Sequence, residues 1–151
     1  MERHPTPNVD EYAGVLDNRI EALLIDGLLV ALVAGALGYV GGTLAVDGPL
    51  GGLGGAILAL QFGTPIGLIV YHTAFEGYYG QTVGKRLRGI VVVKRDGSPV
   101  TWTAAVIRNF LRIVDMLPIF YIVGVVVAYV TDDRQRVGDL AGRTVVVHTQ
   151  N

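Results

Sequence analysis

Two long stretches without acidic or basic residues dominate the first half of the chain. The first, Gly27 to Val46, has twenty residues and would form a helix about 30 Å long, the thickness of a bilayer's hydrocarbon core. The second, Gly48 to Phe75, is interrupted only by His72. The pattern predicts two full transmembrane helices, over about residues 22–46 and 50–75, joined by a short turn as an antiparallel hairpin.

The second half combines β-branched runs with shorter helical segments. The runs GIVVVK and RTVVVH predict strands over about residues 89–94 and 143–148 that pair with each other. Between them we expect a polar, interfacial helix over about residues 102–116 and a short uncharged span over about residues 119–131. These two helices would form a second, shallower hairpin.

Basic residues indicate how these segments are oriented. Five of them lie between residues 85 and 95, whereas the turn at Asp47 contains neither Lys nor Arg. The positive-inside rule therefore predicts that this middle loop and the N-terminus are cytoplasmic. Arg134, Arg136 and Arg143 favour a cytoplasmic C-terminus, which requires an even number of crossings after the middle loop. A three-span protein with its C-terminus outside is the alternative.

Composition supports a membrane environment and excludes several kinds of site. Hydrophobic residues make up 51% of the chain and charged residues 17%, with a mean hydropathy of +0.48. The net charge of −1 gives no general attraction to nucleic acid, and the absence of cysteine excludes disulfides and thiolate chemistry. We expect residues 1–151 to form one multi-pass domain of the cell membrane, all-α apart from a small cytoplasmic β element.

Arg19 and Asp26 lie at the start of the first predicted span. They are seven residues apart, close to two helical turns, so their side chains share one face about 10.5 Å apart. A carboxylate in a bilayer is costly and needs a partner or a proton. One interpretation is a carboxylate that binds H⁺ or Na⁺, and the other is a buried ion pair with Arg19 that fixes helix packing.

Arg108, Arg112 and Asp115 form a polar stripe on the predicted interfacial helix, because they repeat at i, i+4 and i+7. The stripe would either meet Arg19 and Asp26 in a charged network or bind anionic lipid headgroups through its arginines. The sequence leaves both interpretations open.

Other chemistry is weakly represented. His72 and Glu76 have a spacing that can hold a metal, but two ligands are few, and we favour a carboxylate reaching the membrane surface beside a hydrogen-bonded histidine. The segment GQTVGK lacks the glycine spacing of a phosphate loop, and Arg86 stands where Ser or Thr is needed. The histidines, at 4, 72 and 148, show no triad context. We expect no metal, no cofactor and no enzymatic activity.

Four motifs together resemble the RDD family of small integral membrane proteins, named for one arginine and two aspartates. They are RIEALLID (19–26), GQTVGKRLRGIVVVKRDG (80–97), RNFLRIVD (108–115) and RQRVGDLAGRTVVV (134–147), and the likeness extends from residue 12 to residue 148. The resemblance implies that Arg19 and Asp26 are two of the name-giving residues. The second aspartate would be Asp115 or Asp139.

The resemblance also gives weight to a cytoplasmic motif formed by Gly80, Gln81, Thr82, Gly84, Lys85, Arg134 and Arg136. It implies transport of an unidentified ligand, with sodium–proton exchange as one form. We therefore expect a small transporter or cation–proton exchanger that works as a homo-oligomer and uses Asp26. The alternative is a non-transporting scaffold or accessory subunit that docks a partner or anionic lipid at its cytoplasmic face.

Overall fold

The computed structural model describes residues 5–8, 15–111 and 137–150. The chain is mostly helical in these ranges. Helix α1 spans Val15–Ala45, and after a short turn a second helical rod follows, made of α2 (Pro49–Leu58), a π-helical turn (Ala59–Gly63) and α3 (Thr64–Tyr79).

Shorter elements lie at the ends of these two rods. Their bounds are β1 (Pro7–Asn8), α4 (Val83–Leu87), β2 (Ile90–Lys94), α5 (Trp102–Phe110), α6 (Val137–Gly142) and β3 (Thr144–Thr149). Helices α4 and α6 and strand β1 were not predicted from the sequence. The predicted span over residues 119–131 and the end of the helix predicted over 102–116 lie outside the described residues.

Both rods have the length and composition of membrane-crossing helices. Val15–Ala45 and Pro49–Tyr79 each contain 31 residues, and an 18-residue stretch within them has a mean hydropathy of 2.2 and 1.8, respectively. Their outer surfaces are apolar, and leucines such as Leu24, Leu32 and Leu37 are about two-thirds exposed. The two long apolar helices predicted from the sequence are therefore confirmed. The first begins seven residues before its predicted start, and the second ends four residues after its predicted end.

Glycines bring α1 and α2 into backbone contact. A Cβ on Gly42 would overlap the carbonyl oxygen of Gly51, and a Cβ on Gly55 would overlap that of Gly38. We call these four residues the glycine interface. Small residues of this kind let helix backbones approach closely in lipid, where packing replaces the hydrophobic effect as the force between helices.

The π-helical turn interrupts the second rod just before Pro65. Because proline has no amide hydrogen, the usual bond to the carbonyl four residues earlier, at Gln61, cannot form. The amide of Thr64 instead donates to the carbonyl of Ala59, five residues back. The chain thus accommodates one extra residue in this turn.

A three-stranded sheet lies at one end of the two rods. The strand order is β1-β3-β2 and all pairs are antiparallel, with Val92 opposite Val146 in the central register. One face of the sheet packs with α1 and α5 in a core that includes Val15 and Ala105. The two strands predicted from β-branched runs are confirmed to within one residue, and their predicted pairing is observed.

Candidate functional site

Buried charged and polar side chains gather where the first turns of α1 meet α3, α4, α5 and α6. Helix α1 contributes one stripe, Val15, Arg19, Ala22 and Asp26, spaced so that all four face inward. We call the following set the buried polar cluster: Arg19, Asp26, His72, Glu76, Thr82, Lys85, Arg108, Asn109 and Asp139.

Asp26 is fully buried and receives hydrogen bonds on both of its carboxylate oxygens. Oδ1 accepts from the Gly84 amide at 2.8 Å and from the Tyr71 hydroxyl at 2.9 Å. Oδ2 accepts from the Thr82 hydroxyl at 2.6 Å and lies 3.4 Å from His72 Nε2. Donors from α3 and α4 therefore converge on one carboxylate of α1.

The segment that follows α3 is shaped to reach Asp26. Gly80 ends α3 in a left-handed conformation, φ 71°, which a residue without a Cβ adopts at little cost. Thr82 then caps α4, since its Oγ1 accepts from the Lys85 amide. A Cβ on Gly84 would overlap the carbonyl oxygen of Ala22, so glycine permits this close approach.

His72 has defined hydrogen-bonding roles on its two ring nitrogens. Nδ1 lies 2.9 Å from the carbonyl oxygen of Leu68. Because a carbonyl oxygen only accepts hydrogen bonds, Nδ1 carries a hydrogen. The other nitrogen, Nε2, is the one that faces Asp26.

Beside Asp26, charges of alternating sign form a chain through five side chains. Arg19 Nη2 lies 2.5 Å from Asp139 Oδ2, and Asp139 Oδ1 lies 2.9 Å from Arg108 Nη2. Arg108 Nε lies 3.2 Å from Glu76 Oε2, while Glu76 Oε1 pairs with Lys85. The chain connects α1, α6, α5, α3 and α4.

Glu76 contacts three partners near one end of this row of ion pairs. It is fully buried, and besides its two cations it accepts a hydrogen bond of 2.9 Å from the Asn109 side chain. A buried carboxylate is tolerated only with such partners, because its desolvation is expensive.

The charges of the cluster balance among the described residues. Arg19, Lys85 and Arg108 supply three cations, and Asp26, Glu76 and Asp139 supply three carboxylates. A neutral cluster therefore requires an ionised Asp26 when His72 is uncharged. Adding one proton to Asp26 or to His72 leaves the cluster with a net charge of +1.

The geometry disagrees with three of the interpretations that the sequence offered, two of which stood beside an open alternative. The predicted Arg19–Asp26 pair does not form within the described part of the chain, because Arg19 turns to Asp139 and Asp26 is held by donors from α3 and α4. Glu76 does not extend to the protein surface, since it is fully buried and paired with Lys85 and Arg108. The Arg108 side chain, 8% exposed, faces the carboxylates of Glu76 and Asp139, which favours the charged-network interpretation of this residue over lipid binding.

The predicted cytoplasmic motif is largely turned inward. Thr82 and Gly84 bind Asp26, Lys85 binds Glu76, and the Gln81 side chain donates to the Ile90 carbonyl oxygen. Gly80 is the C-cap of α3. Four further candidates, Arg112, Asp115, Arg134 and Arg136, lie outside the described residues.

Sequence reasoning missed that Tyr71, His72 and Asn109 belong to this site. A signal was present for His72, because it interrupts a long uncharged run on the second predicted span. No comparable signal marks Tyr71 or Asn109, whose roles depend on which segments fold against them.

Two helices of membrane-crossing length with a charged cluster buried at one end indicate an integral membrane protein. Comparison with known proteins is more specific. The chain matches the model of the RDD family over residues 12–143, and it belongs to that family. The resemblance drawn from the sequence motifs is thereby confirmed. No curated protein and no solved structure matches the chain.

Proposed function

We propose that this protein is a small membrane transporter that exchanges protons for a cation such as Na⁺, with Asp26 as the proton-binding carboxylate. The observation that carries the proposal is the contact between Asp26 Oδ2 and His72 Nε2, at 3.4 Å in a fully buried pocket. Ionisable residues buried in membrane proteins commonly mark ion and proton pathways.

The hydrogen bond on the far side of the His72 ring supports a proton site. Since Nδ1 donates to the Leu68 carbonyl, a neutral ring presents the lone pair of Nε2 to the Asp26 carboxylate. Two lone pairs facing each other repel, and one proton between the two groups removes the repulsion. The proton can rest on Nε2, which gives an ion pair, or on Asp26, which leaves both groups neutral.

The donors around Asp26 argue against a metal ion at this position. The Thr82 and Tyr71 hydroxyls and the Gly84 amide all point hydrogens at the carboxylate. The two hydroxyl oxygens also accept amide hydrogens, from Lys85 and from Val83 respectively. The exchanged cation would therefore use other groups along the path.

Flux through proteoliposomes tests the proposal. Wild-type protein and Asp26→Asn are reconstituted at matched density with an enclosed pH-sensitive dye, and Na⁺ or K⁺ is then added outside. We expect cation-driven proton movement in the wild type and its loss in Asp26→Asn. Asp17→Asn is the matched control, because Asp17 is an exposed carboxylate on the same helix. Equal flux in wild type and Asp26→Asn would overturn the assignment of Asp26.

The arrangement in the membrane is part of the proposal. The two rods would cross as an antiparallel hairpin, with the N-terminus and C-terminus in the cytoplasm of a cell-membrane protein. Pairing of β1, β2 and β3 in one sheet supports this, because those strands must then lie on the same side of the bilayer. That requirement favours an even number of crossings between β2 and β3, and disfavours the three-span alternative.

The absence of cysteine makes the topology easy to test. Single cysteines at Asp47, Arg95 and Gln150 are treated with a membrane-impermeant maleimide in intact cells. We expect Asp47→Cys to react from outside, and Arg95→Cys and Gln150→Cys to react only after permeabilisation. Labelling of Gln150→Cys from outside would instead support three spans.

A homo-oligomer is expected, because the helices of a single chain are too few to enclose a transport pathway.

The competing function is a membrane scaffold without transport. The ion pairs made by Arg19, Arg108 and Glu76 favour the scaffold function, since a row of paired charges also serves to fix the packing of helices. Folded wild-type protein that carries no flux under any cation gradient would select the scaffold.

A further inference from the structure

Helix α4 has an inner and an outer side with different chemistry. Its inner side holds Asp26 through Thr82 and Gly84. Arg86, Leu87 and the C-cap residue Arg88 are all exposed, and the two arginines leave the helix on either side of Leu87. Leu87, between the two arginines, is 67% exposed.

The ion pair between Arg88 and Glu21 shows where this outer side lies along α1. Arg88 Nε is 2.8 Å from Glu21 Oε2, and both side chains are nearly half exposed. Leu24 and Leu28 follow on the same side of α1, one and two turns further along, and each is about two-thirds exposed. The Arg88–Glu21 pair therefore lies where this face of α1 changes from polar to apolar.

We propose that Arg86, Leu87 and Arg88 form a binding site for the phosphate of one anionic phospholipid. The guanidinium groups bind the phosphate at headgroup level, and Leu87 enters the apolar region beside Leu24. Arginine suits this contact, because its planar donors match phosphate oxygens in pairs.

Donors remain for such a phosphate on both arginines. The contact with Glu21 uses Nε of Arg88, so its two Nη groups can bind a second acceptor. For Arg86, the described part of the chain shows no ion pair. Positive charge at the hydrocarbon boundary attracts anionic lipid, which makes a headgroup the complementary partner. The site rests on the proposed arrangement in the membrane and does not depend on transport activity.

Lipid retention in native mass spectrometry tests the site. Wild-type protein is extracted from vesicles of equal parts phosphatidylglycerol and phosphatidylcholine, and the bound lipids are counted. We expect one retained phosphatidylglycerol per chain, and a fall of roughly 10-fold in its retention for Arg86→Gln/Arg88→Gln. The matched control is Lys94→Gln/Arg95→Gln, which removes the same charge from the end of β2.

The possible outcomes separate the interpretations. Retention lost in the first double variant and kept in the control supports the site. Equal loss in both variants, or no preference for phosphatidylglycerol in the wild type, overturns it. Displacement of the lipid by millimolar inorganic phosphate would overturn the lipid assignment, because free phosphate would then occupy the site without any contribution of Leu87 to binding. Arg86→Lys/Arg88→Lys checks folding, and we expect it to keep part of the retention.

Discussion

The two ends of the paired rods are held together by different forces. At the glycine interface, the backbones of α1 and α2 touch, and the surrounding side chains are apolar and exposed. At the buried polar cluster, the same α1 is held by ion pairs and hydrogen bonds from three other helices, α3, α4 and α6. The first region depends on the absence of side-chain volume, and the second depends on complementary charge.

The buried polar cluster should lose the most stability of the two regions, and the change that removes one of its charges should have the largest effect. Glu76→Gln leaves Lys85 and Arg108 buried without their shared carboxylate, and we expect a loss of about 3–5 kcal/mol in the free energy of unfolding. Glu21→Gln is the control, because its pair with Arg88 is exposed and should contribute no more than about 1 kcal/mol. Denaturant titration in detergent measures both, and equal losses would contradict the buried role of Glu76.

The apolar end should be damaged by added volume at particular positions. In Gly55→Ala the new methyl group would overlap the Gly38 carbonyl oxygen, so we expect a cost of about 1–3 kcal/mol. Gly54→Ala, one residue earlier, meets no atom within 4 Å and should be neutral or stabilising by up to about 1 kcal/mol. Identical melting curves for the two variants would show that the glycine interface does not hold the rods together.

A pair of threonines isolates the hydrogen bond to Asp26. Thr82 and Thr101 each cap a helix by accepting an amide hydrogen at 3.3 Å, and Thr82 alone of the two also donates to Asp26. We expect Thr101→Val to cost about 1 kcal/mol and Thr82→Val to cost about 2 kcal/mol. The same unfolding titration measures both, and equal costs would mean that the Thr82–Asp26 bond contributes nothing.

The smallest effect is expected in the turn after β2, outside both regions. The Ser98 hydroxyl and amide donate to Asp96, and these hydrogen bonds lower the pKa of that carboxyl below its ordinary value. A carboxyl with a lowered folded pKa stabilises the fold above its unfolded pKa of about 3.9 and loses that contribution as pH falls. Ser98→Ala should therefore make Tm fall slightly less steeply as the pH drops below about 4. An unchanged dependence of Tm on pH would contradict the role of this turn.

The elements that could be predicted are those encoded in a single segment. The uncharged runs identified both rods, and the runs of valine identified β2 and β3, because each of these signals lies within a few residues of the structure it specifies. Pairing between distant charges could not be predicted. Arg19 has Asp26 two turns away on its own helix, yet its partner Asp139 comes from a segment 120 residues later.

Glu76 illustrates the same limit. The residues near Glu76 in the sequence do not predict its pairing with Lys85 and Arg108, since α4 and α5 must first fold against α3. The family motifs singled out Lys85 and Arg108 as residues, and the structure supplied their partners.

The π-helical turn at Ala59–Gly63 has a consequence for how this rod tolerates changes in length. One residue more or less in a regular helix rotates everything beyond it by about 100°. The wide turn absorbs one residue, so Gly55 before it and His72 after it can both face α1. Deleting one residue here would restore a regular helix and leave the histidine facing Asp26. Closing the wide turn into a regular helix without a deletion would rotate His72 away from Asp26 by about 100°, whereas the glycine contacts would remain. The turn therefore sets the rotational phase between the two halves of the second rod.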